Sequence, residues 1–183
     1  MPRFLILRDK RLEGKLAARC PVVTVGETTT LSSMFSSVAT AAGSSKINTM
    51  FVLCHGYAGT NDSAGVCMDA GGMGLQLGAE QVLHTNVSRW EDIEGTCKNI
   101  VVYACAAANT ESGNEGSTAD GRYLMGALAI HTGATVYAGD RIQWYNPAKM
   151  DFGKWEGRLW AFQPSGIPPK VVKAAPTEIR SVL

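Results

Sequence analysis

The chain has 183 residues, enough for one domain with a sizeable core. Apolar residues make up 45% and charged residues 18%, which excludes a disordered chain. The 17 Lys and Arg against 16 Asp and Glu leave a net charge of +1, a balance that calls for neither nucleic acid nor a membrane surface as partner.

The first apolar run, Phe4 to Leu7, reads as a buried strand. It is too short for a signal-peptide core, and no run approaches the length of a membrane span. A cytoplasmic site of action is therefore the default expectation, with export by a route lacking a cleaved signal as the alternative. "CPVVTVG", Cys20 to Gly26, is a second strand. In "TTTLSSMFSSVATAAG", Leu31, Met34, Phe35, Val38 and Ala42 fall on one helical face, with a threonine to cap the start and Gly43 to end it.

"INTMFVLC" is a continuous apolar strand, as expected of one covered on both faces. Gly71-Gly72, within "GVCMDAGGMGLQLG", suggests a hairpin between two short strands. Asn86 is placed to cap a helix carrying Val87, Trp90 and Ile93, closed by Gly95. "NIVVYAC" is the fourth central strand, and "ANTESGNEGSTADG" a polar loop. "RYLMGALAIHTG" reads as a helix with Leu124, Ala127, Leu128 and His131 on one side. "ATVYAG" is a fifth strand and "KWEGRLWAF" a sixth, at an edge. The alternation of strands and helices is that of an α/β domain with a mainly parallel six-stranded sheet. One domain spans 1–163, and the breaker-rich 164–183 reads as a surface tail.

Ligand sites of open parallel sheets lie beyond the carboxyl ends of the strands. Two strands end there in reactive side chains: one runs into His55-Gly56, the other into Ala104-Cys105. If those strands are neighbours, the imidazole of His55 can act as base for the thiol of Cys105. The Gly56 and Cys105 backbone N–H groups can then receive the developing oxyanion. Cys54, although adjacent to His55, points to the opposite face of an extended segment and belongs to the core.

The remaining cysteines, Cys20, Cys67 and Cys97, read as small buried hydrophobes. An odd count of five without a CxxC pair gives neither a disulfide scaffold nor a zinc ribbon. No metal and no cofactor is called for. His84 and His131 lie away from the strand ends and read as structural.

An apolar strand ending in His-Gly, followed by one ending in Ala-Cys, resembles the pattern of caspase-like cysteine peptidases: caspases, metacaspases, legumain, gingipain, clostripain and separase. The order "FVLCHGYAG", "NVSRWEDIEG", "IVVYACAAA", "LAIHTGATVYAGD" resembles still more closely the bacterial caspase-like domains of unknown function found in large cell-surface proteins.

The resemblance covers 47–144. It implies a caspase–hemoglobinase fold, a three-layer α/β/α sandwich, and a cysteine endopeptidase acting on a peptide or protein substrate. In that reading His55 is the general acid/base, Cys105 the nucleophile, and Gly56 with Cys105 the oxyanion hole. Tyr103, Asp140 and Trp144 would meet the substrate, the last two from "DRIQWYN". Tyr103 stands where caspases have Gln, so neither aspartate nor arginine specificity carries over from that position. The competing expectation is a catalytically weak or inactive binding module on the same fold. An α/β-hydrolase is a weaker one, because no G-x-S-x-G elbow occurs.

Overall fold

A computed structural model describes residues 3–57, 71–149 and 151–183. Its elements in chain order are β1 (Phe4–Asp9), β2 (Val22–Val25), α1 (Leu31–Ala42), β3 (Ile47–Leu53), β4 (His55–Tyr57), β5 (Gly74–Gln76), β6 (Cys97–Tyr103), α2 (Gly121–Thr132), β7 (Thr135–Gly139), β8 (Leu159–Phe162) and β9 (Lys170–Val172). Two short 3-10 helices, Val87–Ile93 and Ile179–Ser181, complete them.

The main sheet has the order β2-β1-β3-β6-β7-β8-β9. The pairs from β2 to β7 are parallel, and β8 and β9 are added antiparallel. β4 and β5 form a separate antiparallel ribbon. Among the described residues no helix is long and apolar enough to cross a membrane.

The central strands β3 and β6 are buried almost throughout, as their unbroken apolar runs require. Alternate residues feed two cores. Met50, Val52, Cys54, Ile100, Val102 and Ala104 face one, and Phe51, Leu53, Val101 and Tyr103 face the other. The first core is roofed by α1, the Val87–Ile93 helix and α2. Leu31, Met34, Phe35, Val38 and Ala42 are all buried there, with Thr30 accepting from Ser33 N–H (3.2 Å) and Gly43 closing the helix.

The second core meets no α-helix among the described residues. Leu12, Phe152, Ala175, Ile179 and Val182 cover it from irregular chain and the Ile179–Ser181 turn. Among the described residues the helical layer thus lies on one face of the sheet. The sheet also has seven strands rather than six, and β8 is not at its edge.

The segment 164–183 is likewise not a surface tail. It supplies β9, buries Ile179 and Val182, and is tied down where Arg19 N–H donates to the Val182 carbonyl (2.7 Å).

Two helical details differ from the sequence reading. Val87, Trp90 and Ile93 are buried, but their spacing of three is served by a 3-10 helix, whose own period is three. Asn86 does not cap it. Its amide instead donates to the Glu80 and Gln81 carbonyls, and its Oδ1 accepts from Leu83 N–H. In α2 the buried face is Leu124, Met125, Leu128, Ala129 and Thr132, which leaves Ala127 and His131 on the half-buried flank. The cap missed in the sequence is Asp120, which accepts from Tyr123 N–H (3.0 Å). Through Asp120 the polar loop before α2 is partly packed: Thr110 donates to the carboxylate at 2.7 Å, and both residues are buried.

Candidate active site

Pairing of β3 with β6 runs from Ile47–Cys97 to Leu53–Tyr103, an offset of 50 residues at every rung. Cys54 N–H donates to the Tyr103 carbonyl (3.3 Å), so the register continues past the last rung. Beyond it His55 enters β4 and pairs with Gln76, while Gly56 lies against the Cys105 backbone, so that His55 and Cys105 emerge at one edge of the sheet. Both line one cavity, together with Cys54, Ala104, Leu12, Tyr103, Gln143, Tyr145 and Phe152. Cys54, 2% exposed, packs with Val52 and Ala104 in the helix-covered core. Burial pushes its thiol far above the ordinary value, so it stays protonated.

The His55 ring is exposed, and its Nε2 lies 3.2 Å from the Arg11 carbonyl. A carbonyl only accepts, so Nε2 carries the hydrogen and the neutral ring keeps its lone pair on Nδ1. That carbonyl is held in place by Asp9, at the end of β1. The Asp9 carboxylate is fully buried and accepts from Arg11 N–H (2.9 Å), from the Arg11 guanidinium (Nε 2.8 Å) and from Gly78 N–H (2.9 Å). Burial raises its pKa. The hydrogen bonds from Arg11 and Gly78, with the Arg11 charge, outweigh that and hold it below the usual carboxylate value. Nothing in the sequence motifs pointed to Asp9 or Arg11, because a two-residue turn contact has no periodic signal.

Cys105 is half-buried where the chain leaves β6, and its Sγ lies 3.9 Å from the Gln143 carbonyl. The next residue, Ala106, has φ 48°, a left-handed conformation that costs a non-glycine residue about 1 kcal/mol or more. The turn is held by Ala106 N–H to the Arg141 carbonyl (2.8 Å) and Ala108 N–H to the Gly139 carbonyl (3.0 Å). Among the described residues no backbone carbonyl accepts from Cys105 N–H. A Cβ at Gly56 would collide with the Cys105 carbonyl oxygen. Glycine is thus required there by close approach of the two backbones.

Tyr103 lines the cavity with its ring, which packs on Phe152 (4.8 Å) and Trp155 (4.7 Å). Its hydroxyl is turned away, donating to Glu178 Oε2 (2.6 Å) and accepting from Ile179 N–H (3.1 Å). Burial and the hydrogen bond to Glu178 push its pKa up.

Asp140 and Trp144 do not line the cavity. Asp140 is 4% exposed, and its carboxylate accepts from Arg158 N–H (2.8 Å), Arg158 Nε (2.7 Å) and Trp160 Nε1 (3.0 Å). It clamps the end of β7 to the start of β8. Trp144 is 51% exposed, with its ring against Gly153. The expected segment does supply cavity wall, but through Gln143 and Tyr145, the two neighbours of Trp144.

His84 stacks on Tyr123 (5.4 Å), and His131 Nδ1 meets Glu91 Oε1 at 2.7 Å. Both contacts suit structural roles. Burial raises the Cys97 thiol to about 12 and also raises that of the half-buried Cys20. Cys67 and the first arm of the expected Gly71-Gly72 hairpin lie outside the described residues.

The arrangement brings a half-buried thiol, an exposed imidazole whose Nε2 faces a carbonyl, and the closely packed backbones of Gly56 and Cys105 to one sheet edge. Comparison with protein-family models, with curated proteins and with solved structures gives no match.

Proposed function

We propose that the protein is a cysteine endopeptidase working through a His55–Cys105 dyad, on a sheet of the caspase–hemoglobinase type. The observation that carries this reading is that His55 and Cys105, which follow the paired strands β3 and β6, line one cavity. The Arg11 carbonyl on Nε2 supports it by leaving Nδ1 as the proton acceptor. The caspase-like order of the motifs supports it independently.

His55 Nδ1 takes the Cys105 proton, and the sulfur attacks the peptide carbonyl carbon. The oxyanion is received by the Cys105 and Gly56 N–H groups. A single such donor is worth roughly a hundredfold or more in rate. Collapse breaks the C–N bond, and the amine leaves with the proton from His55. A water, deprotonated by His55, then attacks the thioester, releasing the acid and returning the proton to Cys105.

The test is a peptide-library digest read by mass spectrometry. Cys105→Ala should lower cleavage by roughly 10⁴-fold or more, as loss of a nucleophile does. Cys54→Ala should keep the cleavage pattern. Undiminished hydrolysis by Cys105→Ala would overturn the reading, and so would absence of cleavage by the unaltered protein across the library.

A further inference from the structure

The cavity shared by His55 and Cys105 has a volume of about 100 Å³. Three of its wall residues carry polar ends, and each end is committed elsewhere. The Tyr103 hydroxyl donates to Glu178 (2.6 Å). The Gln143 amide donates to the carbonyls of Arg141 (2.8 Å) and Glu156 (3.2 Å), and its oxygen accepts from Glu156 N–H (3.2 Å). The Tyr145 hydroxyl donates to the Glu13 carbonyl. Leu12 and Phe152 add only carbon. Among the described residues no Asp, Glu, Lys or Arg lies in the wall.

We infer that this cavity is the specificity pocket of the proposed peptidase, taking a small branched apolar side chain, valine or leucine, from the substrate residue whose carbonyl is attacked. The inference rests on the peptidase reading above. It differs from the aspartate and arginine preferences of the group that the motifs resemble.

Size sets one limit. An apolar cavity of about 150 Å³ accepts benzene, so this smaller one admits valine or leucine and excludes an indole. Charge sets the other. An aspartate or arginine side chain would give up its water and meet no counter-charge in the described wall. Within the fitting range, each added or missing methylene changes turnover efficiency by roughly tenfold or more.

The probes are peptidyl acyloxymethyl ketones that differ only in the residue next to the ketone: Val, Leu, Asp, Arg or Trp. The Cys105 sulfur bonds to the methylene carbon as the carboxylate leaves, and the adduct is followed by mass spectrometry of the Cys105 peptide. Val and Leu probes should label at least tenfold faster than the other three. Fastest labelling by Asp, Arg or Trp would overturn the pocket assignment and leave the peptidase reading standing. No labelling by any peptidyl probe, while iodoacetamide still alkylates Cys105, would overturn both.

A wall variant gives a separate readout. Phe152→Ala, or Phe152→Leu should the first not fold, enlarges the pocket and should move the preference toward Trp. An unchanged order in a folded variant would contradict the assignment.

Discussion

One face of the central sheet is roofed by α1, the Val87–Ile93 helix and α2; the other is roofed by loops and the C-terminal segment. The first roof is held by periodic apolar burial. The second is held by individually placed polar bonds: Arg8 to the Leu12 and Gly14 carbonyls (both 2.7 Å), Tyr103 and Trp155 to Glu178 (2.6 and 3.2 Å), and Tyr145 to the Glu13 carbonyl. The His55–Cys105 cavity opens on this second face. A helix presents side chains at fixed spacing, whereas irregular chain can bring a carbonyl, a ring and an amide to one spot. Stability on the first face and the proposed chemistry on the second should therefore respond to different mutations.

The largest stability effect belongs to the helical roof. Trp90 is fully buried, edge-on to Phe35 at 5.5 Å, and its indole N–H has no partner among the described residues. Trp90→Ala should therefore lose packing alone, costing about 3–5 kcal/mol in denaturant unfolding. Per folded molecule, cleavage should be unchanged. A specific activity that fell well beyond the folded fraction would break the separation between the faces.

Asp9→Asn comes next and should act on both counts. It removes the buried partner of Arg11 and should cost about 3 kcal/mol. It also loosens the Arg11 carbonyl that orients His55, so cleavage should fall in the folded variant.

The pH dependence has a definite sign. The folded-state pKa of Asp9 lies below its ordinary 3.8. Its contribution is therefore complete above that value and is lost as the pH falls through the lower, folded-state pKa. The unaltered protein should lose stability more steeply than Asp9→Asn below pH 3.8. Equal slopes in acid-unfolding curves would contradict the role given to Asp9.

Tyr103→Phe is the mildest. It keeps the ring in the cavity wall but leaves Glu178 Oε2 and Ile179 N–H without their partner, at a cost of about 1–2 kcal/mol. Hydrogen exchange should show the loss as faster opening of 177–183, ahead of the helices. Uniform acceleration across the chain would contradict a locally tethered segment.

This division also explains what could be read in the sequence. All five core residues of α1 were legible, because burial of a helix repeats with its turn. The strand ends at His55 and Cys105 were legible because two unbroken apolar runs point to one sheet edge. The C-terminal segment was not. Pro164, Pro168, Pro169 and Pro176 argue for exposed chain, yet none falls within the β9 ladder, and the buried Ala175, Ile179 and Val182, spaced four and three apart, are too few beside the prolines to read as an element. The resemblance implied a cleft role for Asp140, which follows β7. Its true partners, Arg158 and Trp160, lie just before and on β8, an antiparallel strand that the sequence did not assign to that neighbour. Gln143 and Tyr145 were missed because a loop gives no signal for which of its residues turns inward.

The central claim is that His55 serves Cys105 across the sheet and that Cys54 serves neither. It is tested most directly by the rate at which iodoacetamide alkylates Cys105 at neutral pH, followed by mass spectrometry in the unaltered protein and in His55→Ala. An imidazole positioned to take the thiol proton should make the His55→Ala rate about tenfold slower or more, with Cys20 alkylated at the same rate in both proteins. Equal Cys105 rates in the two proteins would contradict the dyad.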